Sequence, residues 1–246
     1  MSYNEELTSY LENVDFNNQS VYDIGANEGE ILEFINNHSL NTSLHGIEPH
    51  PNNISILNQK FKDNNNITIT HGAINTFDGE CYIGFEKQQR KNGLQQGHVM
   101  NNNVNDLQGR KWIEGCNVKS FKLDTFCKDA TIIKMDIEGF EHKILHKSLN
   151  KLNNTKTWLL EIHSWEDIDL HGWDRYNHNS ESDSLNKMIK LFLKNGFNEF
   201  ILAKKRNINN VINENTYWSH IPVSSYIQDN KRVYYKVVNL IIQKKI

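Results

Sequence analysis

The sequence predicts an α/β protein built on a mostly parallel sheet of about seven strands with helices on both faces. Short apolar runs rich in β-branched residues alternate with stretches whose apolar residues recur at helical spacing. A glycine-bearing turn, Asp23 to Gly29, follows the first such run, and acidic residues close several of the later ones. Strands alternating with helices at this rhythm need right-handed crossovers, which lay the strands parallel.

Each element follows from its residues. Leu7, Tyr10, Leu11 and Val14 recur at helical spacing and predict an N-terminal amphipathic helix over residues 3–16 that covers the core. Val21-Tyr22-Asp23-Ile24 is the first strand, and a helix runs from near Glu28 to Asn37. Leu44 to Ile47 is the second strand; Pro49 stops it and leaves the Glu48 carboxylate at its tip. Pro51 to Phe61 has proline at a helix start and Ile54, Leu57 and Phe61 on one face, so it is read as a helix. Ile67 to Thr70 is β-branched and forms the third strand.

Between Ala73 and Phe121 the pattern changes. Cys81 to Phe85 reads as a strand behind the Asp78-Gly79 turn, and the polar stretch with Gly93, Gly97 and Gly109 predicts an inserted lobe or lid over residues 85–117. Alternation resumes with the strand Thr131 to Asp136, a helix from Glu138 to Leu149 and the strand Trp158 to His163. A helix from Ser184 ends at Lys194, before Gly196, and Phe200 opens the next strand. Val237 to Ile242 is the last, expected to pair antiparallel with its neighbour.

With 246 residues and no linker-like segment, a single domain over 1–246 is expected. Mean hydropathy is -0.66, lowered by clusters such as Asn64-Asn65-Asn66 and Asn101-Asn102-Asn103, which are read as loops. A net charge of -3 offers no general attraction for phosphate backbones and argues against bulk nucleic-acid binding. Cys81, Cys116 and Cys127 show no paired metal spacing and are expected as reduced thiols. With neither a leader-like N-terminus nor a membrane-length apolar run, a soluble cytoplasmic protein is expected.

Ligands of open parallel sheets bind outside the carboxyl ends of the strands. Asp23 and Gly25 close the first strand, Glu48 the second, Asp136 the next core strand, and Glu161 with His163 the one after. The glycine turn lacks the three-glycine spacing of a dinucleotide site and by itself is equally a plain tight turn. Glu48, however, lies nineteen positions after Gly29, where a carboxylate can accept hydrogen bonds from ribose hydroxyls. A nucleoside cofactor is the reading that joins the two.

These residues carry a resemblance to the FkbM-type S-adenosylmethionine-dependent methyltransferases, in five ordered blocks over residues 21 to 163. Asp23-Ile24-Gly25-Ala26-Asn27-Glu28-Gly29 is similar to the family's cofactor loop, and Gly46-Ile47-Glu48-Pro49 to its ribose-binding strand end. His71-Gly72-Ala73-Ile74 with Asp78-Gly79 resembles the segment after the third strand, where adenine would lie. Leu123-Asp124-Thr125-Phe126 followed by Ile133-Lys134-Met135-Asp136-Ile137-Glu138-Gly139-Phe140-Glu141 resembles its most specific signature, and Leu160-Glu161-Ile162-His163 completes the set.

The resemblance implies a Rossmann-like class I methyltransferase fold. It also implies S-adenosylmethionine as cofactor, held by Asp23, Gly25, Ala26, Asn27, Gly29, Glu48, Gly72 and Ala73. The implied activity is O-methyl transfer to a hydroxyl of a sugar or other polar small molecule, as in glycan or nucleotide-sugar modification. Asp136, Glu161, His163 and Lys134 are then the catalytic candidates, since a sugar hydroxyl is a poor nucleophile until a group takes its proton. Asp136, Glu161 and His163 also resemble the metal site of catechol-type methyltransferases, which would add a divalent cation such as Mg.

Blander roles stand beside these. Lys134 and Asp136, two apart on one strand face, could form a structural ion pair; Glu138 could serve the helix dipole, and Glu141 could support a nearby loop. His171, Trp173, Asp174, Arg175, Tyr176 and His178 suit either a sugar face or a solvated loop. A non-catalytic adenosyl- or glycan-binding module and a nucleic-acid ribose methyltransferase remain the alternatives. A nicotinamide oxidoreductase is disfavoured by the missing glycine fingerprint.

Overall fold

The computed structural model describes residues 11–12, 14–86, 97–100, 112–137, 140–165, 182–202, 206–207, 224–228 and 231–245. Residues 3–10 and 13 of the helix expected over residues 3–16 lie outside these, as do Glu138 and the loop from His171 to His178. Among the described residues no helix is long and apolar enough to cross a membrane.

The first half alternates as β1 (Ser20–Ile24), α1 (Glu30–His38), β2 (Ser43–Glu48), α2 (Pro51–Lys60) and β3 (Ile67–His71). Helix α1 starts where Gly29, at φ +80°, turns the chain in a left-handed conformation. Helix α2 starts with Pro51 in its first turn and with the His50 side chain accepting from the Asn52 N–H. There follow β4 (Ala73–Asn75), β5 (Gly79–Glu86), β6 (Gly97–Met100), β7 (Trp112–Lys122), the short α3 (Leu123–Phe126), β8 (Ile132–Met135) and α4 (Glu141–Ser148). The chain continues through β9 (Thr157–Trp165), α5 (Ser182–Lys194), β10 (Glu199–Leu202), β11 (Arg206–Asn207), β12 (Ser224–Gln228) and β13 (Lys231–Gln243).

Seven strands form a continuous sheet in the order β3-β2-β1-β8-β9-β13-β10, extended by β11 beside β10 and by β12 beside β13. The pairs from β3 to β9 are parallel, while β13 runs antiparallel to both β9 and β10. A mostly parallel sheet with one reversed strand inserted next to last is the Rossmann-like methyltransferase architecture. The expected antiparallel pairing of the last strand is present, although β13 also separates β10 from β9. Chain order reverses between β1 and β8, and in open sheets ligands bind in the crevice at the carboxyl ends of such a switch point.

Alternation sorts the side chains between two faces. Val21, Leu44, Ile132 and Leu159 pack with Leu32 and Ile35 of α1 and Leu57 of α2. Tyr22, Ile24, Ile133, Met135, Trp158 and Leu160 pack with Ile144 and Leu145 of α4 and with Met188, Ile189 and Phe192 of α5. Trp158 is fully buried and meets Phe192 edge to face at 5.6 Å; truncating such a ring costs about 3–5 kcal/mol.

In the crossover from β3 to β8 the described residues form a second sheet, β4-β7-β5-β6, on a small apolar cluster of Ala73, Cys81, Ile83 and Val118. Most of the lobe expected over residues 85–117 lies outside the described residues. Sequence reading missed β4, β6 and β7 because this sheet is thin and one-sided, so its strands show few apolar positions in succession. Cys81, Cys116 and Cys127 are free thiols.

Candidate active site

The glycine turn is held by its neighbours on both sides. The Gly25 and Ala26 N–H groups both donate to the Ile47 carbonyl of β2, at 3.0 and 3.1 Å. Gly25 has φ +80°, and a Cβ there would lie 2.0 Å from the Asp136 carbonyl oxygen, so the turn and the end of β8 can approach only through glycine. Asn27 also adopts positive φ, at +49°, a conformation asparagine tolerates better than most residues. A Cβ on Gly29 would strike Leu57 and Phe61, so this second glycine lets the turn sit on α2.

Beneath the turn lies a buried ion pair. Register places Asp23 beside Lys134 on the adjacent strand, and the Lys134 ammonium stands 3.1 Å from Asp23 Oδ1 and donates to the Gly25 carbonyl at 2.9 Å. Asp136 Oδ2 is farther, at 4.0 Å. Burial pulls the Lys134 ammonium down, but the charges of Asp23, Asp136 and Glu161 with the bond to Asp23 outweigh it and hold the group above its usual range. Burial pushes the Asp23 carboxyl up, and Lys134 pulls against it. Lys134 was expected as a catalytic candidate or as an ion-pair partner of Asp136; that pair is present at 4.0 Å, and the shorter contacts are with Asp23 and the glycine turn.

Glu48 sits at the tip of β2, 6% exposed. Its Oε2 accepts from the Asn27 N–H at 2.9 Å, and its Oε1 from the His50 N–H at 2.8 Å and from Asn53 Nδ2 at 3.4 Å. Burial pushes its carboxyl up, and these donors oppose the shift. A carboxylate offers about four acceptor directions, so one on Oε2 stays available. Past β3, a Cβ on Gly72 would meet the Lys119 carbonyl and the Phe121 ring, and Ala73 opens β4 and is buried. The two residues thus stand where the main sheet hands over to the second one.

On the other side of the crevice, Asp136 directly follows β8. Its Oδ1 is buried and has no hydrogen-bond partner among the described residues. Leu159 is paired with Lys134, so Glu161, two residues on, shares the face of Lys134 and Asp136, and His163 shares it in turn. The His163 side chain lies outside the description, while its backbone pairs with Val237. Among the described residues no group of three side chains could hold a metal ion. Glu141 is fully buried, and its Oε1 accepts from the Ile137 N–H at 3.1 Å, bracing the turn after Asp136. Asp124 accepts from Ser148 Oγ at 2.7 Å and Lys151 Nζ at 3.1 Å, which ties α3 to the end of α4.

Sequence reasoning missed Asn53. Its amide also donates to Asn27 Oδ1 at 3.0 Å, so it joins the glycine turn to Glu48. The available signal was an asparagine four residues before Leu57, on the buried stripe of α2.

A family model described as "Methyltransferase FkbM domain" matches residues 23–199. No curated protein matches the chain. Among solved structures, the precorrin-6y C5,15-methyltransferase of Geobacter metallireducens GS-15 is similar at 9% identity and TM-score 0.47, over 100% of this chain and 89% of that one. A putative tRNA (m1A22) methyltransferase of Streptococcus pneumoniae is similar at 12% identity and TM-score 0.42, over 99% and 70%. M. jannaschii TYW2 in complex with AdoMet is similar at 14% identity and TM-score 0.42, over 100% and 78%.

Proposed function

The chain belongs to the FkbM-type S-adenosylmethionine-dependent methyltransferases, and from that premise we propose that it is an O-methyltransferase acting on a hydroxyl of a sugar or other polar small molecule. The single observation that carries the oxygen-acceptor reading is the buried Oδ1 of Asp136, without a hydrogen bond among the described residues, at the switch point of the sheet and in the company of Glu161 on the same face.

The residues fit the cofactor. Gly25 lets the turn close on the end of β8 with no side chain between them, Asn27 and Gly29 shape the turn, and Glu48 keeps an acceptor direction for a ribose hydroxyl. Gly72 and Ala73 line the position for adenine. Bound there, S-adenosylmethionine supplies a methyl group already activated on a sulfonium. What this chain adds is placement and proton removal. Asp136 takes the hydroxyl proton as the oxygen attacks, Glu161 or His163 assists, and Lys134 keeps the floor rigid by holding Asp23 and the Gly25 carbonyl. A divalent cation held by Asp136, Glu161 and His163 is the variant of this scheme that chelation tests.

The test is a screen for labelled methyl transfer from S-adenosylmethionine to nucleotide sugars, free glycans and RNA. Transfer to a sugar hydroxyl is the expected result. Transfer to RNA alone overturns the small-molecule acceptor, and tight cofactor binding without transfer to anything points to a binding module.

A further inference from the structure

We infer that Asn53 is a positioning residue for the cofactor's ribose: it saturates Glu48 Oε1 and locks the Asn27 side chain, leaving Oε2 as the oxygen that receives a ribose hydroxyl. The inference rests on the cofactor reading above and adds a residue and an atom to it.

Asn53 lies in the first turn of α2, 6% exposed, on the stripe that also carries Leu57 and Phe61. An amide in such a place costs about 1–3 kcal/mol unless its groups find partners. Both N–H bonds do: one reaches Asn27 Oδ1 at 3.0 Å and the other Glu48 Oε1 at 3.4 Å. A carboxylate can only accept, so the amide nitrogen rather than its oxygen must face it.

The consequence is an asymmetry in Glu48. Oε1 takes two donors, the His50 N–H and Asn53, and its lone pairs are filled. Oε2 takes only the Asn27 N–H. Asn27 is itself held through its side chain by Asn53, so one amide governs both the free oxygen and the backbone group beside it. The ribose therefore engages one strong acceptor, and one of its two hydroxyls should matter more than the other.

The experiment is calorimetry of S-adenosylhomocysteine and its 2′-deoxy and 3′-deoxy analogues on the full chain, with Asn53→Leu and Asn27→Gly variants. Leucine keeps the size of Asn53 in an apolar setting, and glycine at 27 keeps the N–H and the positive φ while removing the side-chain acceptor. For the unaltered chain, one deoxy analogue should bind about tenfold more weakly than the parent and the other nearly as well as the parent. In Asn53→Leu the tenfold gap should shrink below about threefold although the melting temperature is kept, an effect that a purely structural amide would not produce. Asn27→Gly should shrink it likewise, and the double variant no further.

An unchanged gap in both single variants overturns the inference. An unaltered chain that ignores both deletions, or fails to bind the parent, overturns the ribose assignment itself. Should Asn53→Leu fail to fold, the Asn27→Gly gap decides alone.

Discussion

The two sides of the crevice differ in how their carboxylates are treated. At the β1–β2 corner, Glu48 is surrounded by donors from Asn27, His50 and Asn53 and is fixed before any ligand arrives. At the β8–β9 corner, Asp136 keeps a buried oxygen with no hydrogen bond among the described residues. A carboxylate held by three donors has one stable geometry and suits a ligand bound the same way in every cycle. A buried oxygen without a donor leaves an acceptor position open for an incoming hydroxyl. On the proposed reading one corner holds and the other reacts, and Lys134 links the two through Asp23 and the glycine turn.

Substitutions can break that division of labour. The largest effect is expected for Asp136→Asn, which should lower turnover by about 10²–10⁴ while leaving cofactor affinity within a few-fold, read by single-turnover methyl transfer beside calorimetry. Equal losses in both would erase the contrast. Next comes Lys134→Met, which strands the buried Asp23 and should cost about 3–5 kcal/mol of stability in chemical denaturation. A smaller loss would mean that Asp23 is readily neutralised.

Glu48→Gln should weaken S-adenosylmethionine binding by about ten- to a hundredfold with kcat at saturation little changed, the mirror image of Asp136→Asn. The pH dependence of that binding sharpens the point. Burial raises the Glu48 carboxyl, and its ionised form is the stronger acceptor for a hydroxyl, so affinity should fall as pH drops through a value above the ordinary 4.5 and the Gln variant should lose this step. The smallest expected effect is that of chelation: with Asp136 acting as the base, activity should persist, and its abolition with recovery on added Mg would assign the Asp136, Glu161 and His163 cluster to a metal instead.

The main sheet was legible because its strands are buried on both faces, which writes runs such as Ile132-Ile133 and Trp158-Leu159-Leu160 into the sequence. Of the second sheet only β5 was legible, since the apolar core of that sheet amounts to Ala73, Cys81, Ile83 and Val118. Asp23, Gly25, Glu48 and Asp136 could be named in advance as strand ends. The partner of Lys134 could not be named, because Asp23 and Asp136 are equally compatible with alternation and only register puts Asp23 beside it.

By itself, then, the sequence determined the order of the main-sheet elements, the family and the acidic residues at the strand ends, since periodicity and turn chemistry act over a few residues. The tertiary structure decided which groups meet. That Asn53 reaches both Asn27 and Glu48, and that Gly25 leaves room only for the Asp136 carbonyl, depends on how α2 docks and how β1 registers against β8. Those distances are set by packing between segments far apart in the chain, and no local pattern encodes them.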